Sequence, residues 1–284
     1  MLKYRGRDRV IRLKPTTWII PAAMLLGLSA CNPADEKPEA ENETEETTPV
    51  SQEPIVEEEV EEVVEEETVI PVPESLYELN EANWTFQPID DANSKAVLLT
   101  IDDAPEKYAV EMAKTLKELN APAIFFVNGH FIDTDEEKAN LKSIYDMGFA
   151  IGNHTQTHVN LKDSSEEQQK EEILQVNETV EAVIGEKPKF FRAPFGVNTD
   201  FSKTLVQQEG MLLMNWTYGY DWEKKYRDVA GLTDIMVNTE YLTDGANLLM
   251  HDRAWTAEAL KGIVEGLRAN GYDLIDPKTI KGIQ

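Results

Sequence analysis

Cysteine is almost absent from this chain: there is one in 284 residues. A single cysteine excludes a disulfide-stapled scaffold and every cysteine-rich zinc module. Histidine is scarce as well, at four residues. Basic residues are outnumbered by acidic ones, 27 against 53, for a formal charge of −26. A nucleic-acid binder needs a basic face for the phosphates, and this composition argues against one. No apolar run reaches the roughly 18–20 residues of a bilayer span. What the chain does have is very unevenly distributed.

Residues 1–30 carry a net charge of +5, followed by the apolar run Trp18–Ala30. Basic, then apolar, then small is the order of a secretory signal. Leu28-Ser29-Ala30-Cys31 resembles the lipobox of bacterial lipoproteins. That resemblance implies lipidation of Cys31, which becomes the mature N-terminus. Acyl chains there anchor a protein on the extracellular face of the cell membrane.

Residues 31–75 read as an acidic disordered linker. Residues 32–74 sum to −16, contain no aromatic residue and are broken by six prolines. Self-repelling charge with little to bury predicts an extended spacer. Only Ile55–Ile70, where Val and Ile punctuate Glu runs, has any helical character.

Residues 76–284 form the globular part, long enough for one domain with a substantial core. Their charge is −15. Strands are expected at Ala96–Ile101, Ala123–Val127, Phe149–Gly152, Lys189–Arg192, Met211–Trp216, Ala246–His251 and Tyr272–Ile275. Helical periodicity separates most of them: Glu106–Leu119, Glu136–Met147, Ser164 or Ser165 to Ile184, Phe201–Glu209, Leu232–Leu242 and Thr256–Asn270. Repeated βα units with apolar strands predict an α/β fold with a parallel sheet, open or closed into a barrel. In either form, chemistry belongs at the C-terminal strand ends.

The residues that stand out fall there. Asp102-Asp103 follows the first strand, and His154 and His158 follow the third. Arg192 ends the fourth, Asp221-Trp222 follows the fifth, and His251-Asp252 ends the sixth. Each alone has an ordinary structural explanation, such as a helix cap for Asp103 or a surface ion pair for Arg192. Five strand ends in one register make coincidence a poor account. The fourth histidine, His130, reads as structural.

The ordered set Thr100-Ile101-Asp102-Asp103-Ala104-Pro105, Asn153–His158, Arg192–Phe195, Asp221-Trp222 and Leu249–Asp252 resembles the polysaccharide deacetylases of carbohydrate esterase family 4, the NodB homology domain. The resemblance covers about residues 95–276. It implies a distorted (β/α) barrel, often seven-stranded, and a divalent metal, usually Zn²⁺, with Co²⁺ or Ni²⁺ as substitutes. It implies Asp102 as catalytic base and Asp103, His154 and His158 as metal ligands. It further implies that Arg192 orients the base, that the Phe195 N–H serves the oxyanion, that Trp222 and Leu249 wall the acetyl pocket, and that Asp221 tunes His251 as the general acid.

The implied activity is removal of acetyl groups from N-acetylated amino sugars. Peptidoglycan N-acetylglucosamine is the expected substrate, N-acetylmuramic acid the second choice, and chitin-type oligomers acceptable. The expected partners are wall glycan and, through Cys31, the membrane, for a monomeric enzyme. One departure stands out. Ala104 replaces the family's usual Gly, which strains the backbone if φ must be positive, or narrows the groove if the methyl faces it. It is the one ground for a second expectation, a wall-binding lipoprotein with a weak or silent site.

Overall fold

The structure is a computed structural model that describes residues Glu74–Ile283. The expected signal, the expected linker up to residue 73 and the expected anchor at Cys31 lie outside the described residues. Among the described residues, no helix is long and apolar enough to cross a membrane.

The chain opens with an antiparallel hairpin, β1 (Tyr77–Asn80) and β2 (Thr85–Pro88). The sequence carries no clear strand signal there, because within these strands only Tyr77, Leu79 and Phe86 are apolar. Alternating strands and helices follow: β3 (Ala96–Ala104), α1 (Ala109–Glu118), β4 (Ile124–Val127), α2 (Asp135–Asp146), β5 (Ala150–Asn153), α3 (Glu166–Ile184) and β6 (Phe190–Phe191). Then come α4 (Asp200–Gln208), β7 (Leu212–Leu213), α5 (Val229–Asn238), β8 (Asn247–His251), α6 (Ala254–Ala269) and β9 (Asp273–Leu274).

Strands β3 to β9 form a seven-stranded parallel sheet in the order β7-β6-β5-β4-β3-β8, with β9 also on β3. The sheet curls. Chain running on from β7 returns to β8, where Tyr218 bridges Leu248 and Leu249 N–H donates to Tyr218 O at 2.8 Å. The expected α/β barrel is therefore present in curled form. Several strands are shorter than the apolar runs that announced them, because only two residues of β6, β7 and β9 pair with neighbours.

Alternation along β3 positions the site. Val97, Leu99 and Ile101 pack outward against the helices, with Leu116 of α1 and Leu260 and Ile263 of α6. Leu98 faces inward with Phe126 and Phe190. Thr100 and Asp102 continue that inward face, since side chains repeat every two residues. Helix starts follow local chemistry. Ser165 and Gln168 form a capping box at α3, and Thr134 and Glu137 another at α2. Helix α1 begins later than its periodicity suggests, because the Asp252 carboxylate captures the N–H groups of Lys107 and Tyr108 at 2.8 and 2.6 Å.

Candidate active site

Two adjacent carboxylates on a regular strand would point to opposite faces. At the end of β3 they do not. The β3–β4 register shifts between Ile101 and Ala104, and Asp103 adopts φ 59°. This irregularity turns Asp103 toward the same pocket as Asp102. It also returns Ala104 to the outward, buried face, where it belongs to the helix-side core. Ala104 does not have positive φ and does not line the pocket. Neither consequence considered for the missing Gly therefore arises, and the silent-site expectation loses its geometric ground.

Asp102 is 2% exposed and is gripped from below. Arg192 Nη1 donates to Asp102 Oδ1 and to Thr100 Oγ1, each at 2.7 Å. Its Nη2 reaches Asn215 O at 2.9 Å and Asn247 Oδ1 at 3.3 Å. The guanidinium lies 4.3 Å from the Phe126 ring centroid. Arg192 is thus an interior residue rather than a surface ion-pair partner. A buried charge is tolerated only when paired and hydrogen-bonded, and Asp102 supplies the counter-charge.

Above this pair, Asp103, His154 and His158 converge, with one potential ligand atom from each lying within 4.8 Å of the others. Asp103 Oδ1 is 3.9 Å from His154 Nε2 and 3.6 Å from His158 Nε2. The i, i+4 spacing works here without a helix. Thr155 and His158 both take positive φ, at 68° and 59°, folding the segment back on itself. The loop is fixed by Asn128, whose Nδ2 donates to His154 O and Thr155 O, and by His130, whose N–H and Nδ1 both meet Gln156 O at 2.8 Å. His154 Nδ1 meets Arg192 O at 2.7 Å, which aims Nε2 at the cluster. A metal-ligating histidine is usually oriented in this way.

Electrostatics suit a cation. Burial alone would raise the Asp103 pKa, but His154, His251, His158 and Arg253 outweigh it and hold the carboxyl below its ordinary range. Burial, reinforced by His154, pushes His158 below the ordinary imidazole value, leaving its lone pair free near neutral pH. One carboxylate and two imidazole nitrogens make a three-ligand N,O set with room for further ligands, as catalytic zinc sites have. The residues present therefore fit a divalent metal.

On the far wall, His251 Nδ1 lies 2.7 Å from Asp221 Oδ1. Asp221 is fully buried and also accepts from His251 N–H at 2.6 Å and Thr256 Oγ1 at 2.8 Å. Burial opposes the imidazolium, yet the attraction and hydrogen bond of Asp221 raise the His251 pKa above its ordinary value. The pocket, about 660 Å³, also contains Phe195, Trp222 and Leu249. Trp222 meets His251 edge-on at 5.6 Å and Phe195 meets His158 at 4.9 Å between centroids. Both aromatic side chains are exposed, at 42% and 63%.

Every site residue anticipated in the globular part is thus in one pocket or directly beneath it. The structure adds Trp216, Arg227, Arg253 and Trp255 to the lining. Arg253 is the most consequential addition: its Nη2 donates to Asp103 Oδ2 and its Nη1 to Glu106 Oε2, both at 2.6 Å. Its position directly after the His251-Asp252 strand end was the available signal.

Comparison with known proteins identifies the family. The family model described as polysaccharide deacetylase matches residues 90–214. A peptidoglycan-N-acetylglucosamine deacetylase of Bacillus cereus is 30% identical over 196 residues, covering 63% of this chain and 68% of the relative. The chain belongs to the polysaccharide deacetylase family. Coverage is partial: two other curated relatives, a second Bacillus cereus deacetylase and the Bacillus subtilis protein YlxY, are matched over 66% and 51% of their own length.

Among solved structures of this family, the peptidoglycan deacetylase PdaC of Bacillus subtilis superposes with TM-score 0.58 at 27% identity, covering 66% of this chain and 90% of that one. A family 4 pseudoenzyme of Bacillus anthracis gives TM-score 0.60 at 28% identity, covering 66% and 67%. Polysaccharide deacetylases are hydrolases that cleave amide bonds and generally need a divalent metal, and the Asp103–His154–His158 cluster is where this chain would hold one.

Proposed function

We propose that this protein is a metal-dependent N-deacetylase of cell-wall glycan, acting on N-acetylglucosamine of peptidoglycan and also on chitin-type oligomers. The observation that carries the proposal is the opposition of two differently partnered polar groups, a carboxylate and an imidazole, across one three-ligand cluster. Asp102 is backed by Arg192, and His251 by Asp221.

A divalent ion on Asp103, His154 and His158, with Zn²⁺ the best fit to an N,O donor set, would supply Lewis acidity toward the amide carbonyl and a water. Everything else falls to the chain. Arg192 occupies Asp102 Oδ1, so Oδ2 is the oxygen left to take the proton of the attacking water. Phe195, at φ 59° on its tight turn, offers backbone N–H to the developing oxyanion. His251, kept as imidazolium by Asp221, protonates the departing amine. Trp222 and Leu249 enclose the acetyl methyl and exclude water. The products are acetate and a free amino sugar.

The lipobox-like Leu28–Cys31 and the acidic stretch after it support a lipid anchor on Cys31 and an extracellular position, with the spacer carrying a monomeric catalytic domain toward the wall. Fully extended at roughly 3.3–3.6 Å per residue, such a spacer reaches up to about 150 Å. The matched structures include a pseudoenzyme, so reaction and not membership decides activity. Free amino-sugar content of purified walls tests the function in cells. It should fall when the protein is deleted and return with the wild-type chain but not with Asp102→Asn; equal content in all three contradicts the proposal.

A further inference from the structure

Two arginines line the catalytic pocket of a domain with a formal charge of −15. They are in different electrostatic states. Arg253 is neutralised by Asp103 and Glu106. Arg227 has no carboxylate partner among the described residues. It is nevertheless fixed. Its Nη2 donates to Trp222 O at 2.9 Å, and its guanidinium lies 5.2 Å from the Trp255 ring centroid.

Those two tryptophans are themselves tied to the acid pair. Trp222 packs edge-on against His251, and Trp255 Nε1 donates to Asp221 O at 2.8 Å. Holding an exposed arginine in one place costs side-chain entropy. Here a backbone carbonyl and a ring oppose that cost, and neither cancels the charge. Among the described residues, only one of the guanidinium's five N–H donors has a protein partner. The result is an oriented cation on the pocket wall beside the exposed face of Trp222, with its carboxylate-binding fork unfilled.

We propose that Arg227 is a carboxylate subsite, which makes the preferred substrate an acidic glycan rather than a neutral one. The chemistry it fits is a lactyl ether carboxylate, carried on the sugar carbon next to the acetamido group or on the adjoining sugar of an alternating chain. A sugar stacked on Trp222 brings that substituent to Arg227. This deepens the wall-glycan reading and rests on it. It separates glycan strands whose lactyl carboxylates are free from stem-bearing peptidoglycan, where that carboxyl is tied up as an amide, and from chitin-type oligomers, which lack it.

The test uses the metal-loaded protein and three tetrasaccharides: alternating N-acetylglucosamine and N-acetylmuramic acid with free lactyl carboxylates, the same tetramer with lactyl amides, and N-acetylglucosamine tetramer. Acetate release is measured for the wild type, Arg227→Gln and Arg227→Lys. The ratio of kcat/KM for the acid over the amide tetramer should drop about tenfold in Arg227→Gln, through KM, with Arg227→Lys recovering part. The wild-type preference should shrink as salt rises, because the pair is exposed and screened over about 10 Å at 0.1 M. An acid-to-amide ratio that is the same in wild type and Arg227→Gln overturns the proposal. Calorimetric Kd values for the acid and amide tetramers on Asp102→Asn, with and without Arg227→Gln, decide the subsite independently. Absence of acetate release would then count against the deacetylase reading, and unchanged Kd ratios against Arg227.

Discussion

Arg192 Nη1 sits 2.7 Å from Asp102 Oδ1, and both side chains lie inside the barrel at 0% and 3% exposure. The pair is a structural keystone as well as part of the proposed catalytic site, because it joins β3 to the end of β6 and, through Asn215 and Asn247, to the chain after β7 and to β8. Arg192→Ala would leave a carboxylate buried without its counter-charge. Removing one partner of such a pair costs about 3–5 kcal/mol, and urea unfolding should show a loss of that order. Arg192→Lys should recover only part of it, since an ammonium cannot reproduce the planar fork that meets four acceptors. A loss under about 1 kcal/mol for Arg192→Ala would contradict the buried-pair account.

The pair on the opposite wall governs pH dependence. In the folded chain the His251 pKa is raised. A raised pKa means the Asp221 interaction adds stability that is complete below the unfolded value of about 6.5 and is lost as pH rises through the folded value. The same titration removes the general acid, so kcat should fall over that window on the alkaline side. Asp221→Asn deletes the charge that raises the pKa. The alkaline limb should move to lower pH, and kcat should drop by about 10²-fold or more. An unmoved limb would show that another group sets it.

Arg253 and Asp103 make a third, separable prediction. Arg253 engages Asp103 Oδ2 and leaves Oδ1 facing His154 and His158. Partners that orient a metal ligand typically change metal affinity by about 10–100-fold. Competition with a chromophoric chelator should show weaker binding of that size for Arg253→Ala, with folding intact by circular dichroism. Wild-type affinity in that variant would reduce Arg253 to a surface residue.

Gly152 on β5 tests the packing beneath the site. A methyl at this position would collide with the Phe126 ring, which in turn lies against the Arg192 guanidinium. Overpacking of this kind costs about 1–3 kcal/mol. Gly152→Ala should lose stability in that range and lose activity with it, because Phe126 cannot shift without disturbing Arg192. Unchanged stability and activity would mean that the ring has room to move.

Much of this site was legible because a parallel sheet sends all its C-terminal ends to one side. Once Asp102, His154, Arg192, Asp221 and His251 were placed at strand ends, their meeting followed from topology. The less legible parts depend on local conformation. Positive φ at Asp103, Thr155 and His158 decides where three side chains point, and none of the three is a glycine that would announce it. The β1–β2 hairpin carries too few apolar residues to show a period. Arg227 and Arg253 sit among ordinary surface charges in the sequence and acquire meaning only from what they touch. Asp252, adjoining His251, turned out to cap the chain entering α1 rather than join the chemistry.

The most direct test of the account is acetate release from N-acetylglucosamine oligomers and peptidoglycan by the purified, metal-loaded protein. Asp102→Asn, His251→Ala and a chelator-treated sample serve as controls. The account predicts release by the wild type, restored after chelation by adding Zn²⁺, and a fall of about 10²-fold or more in each variant. Metal bound at Asp103, His154 and His158 with no acetate released from either substrate would contradict it.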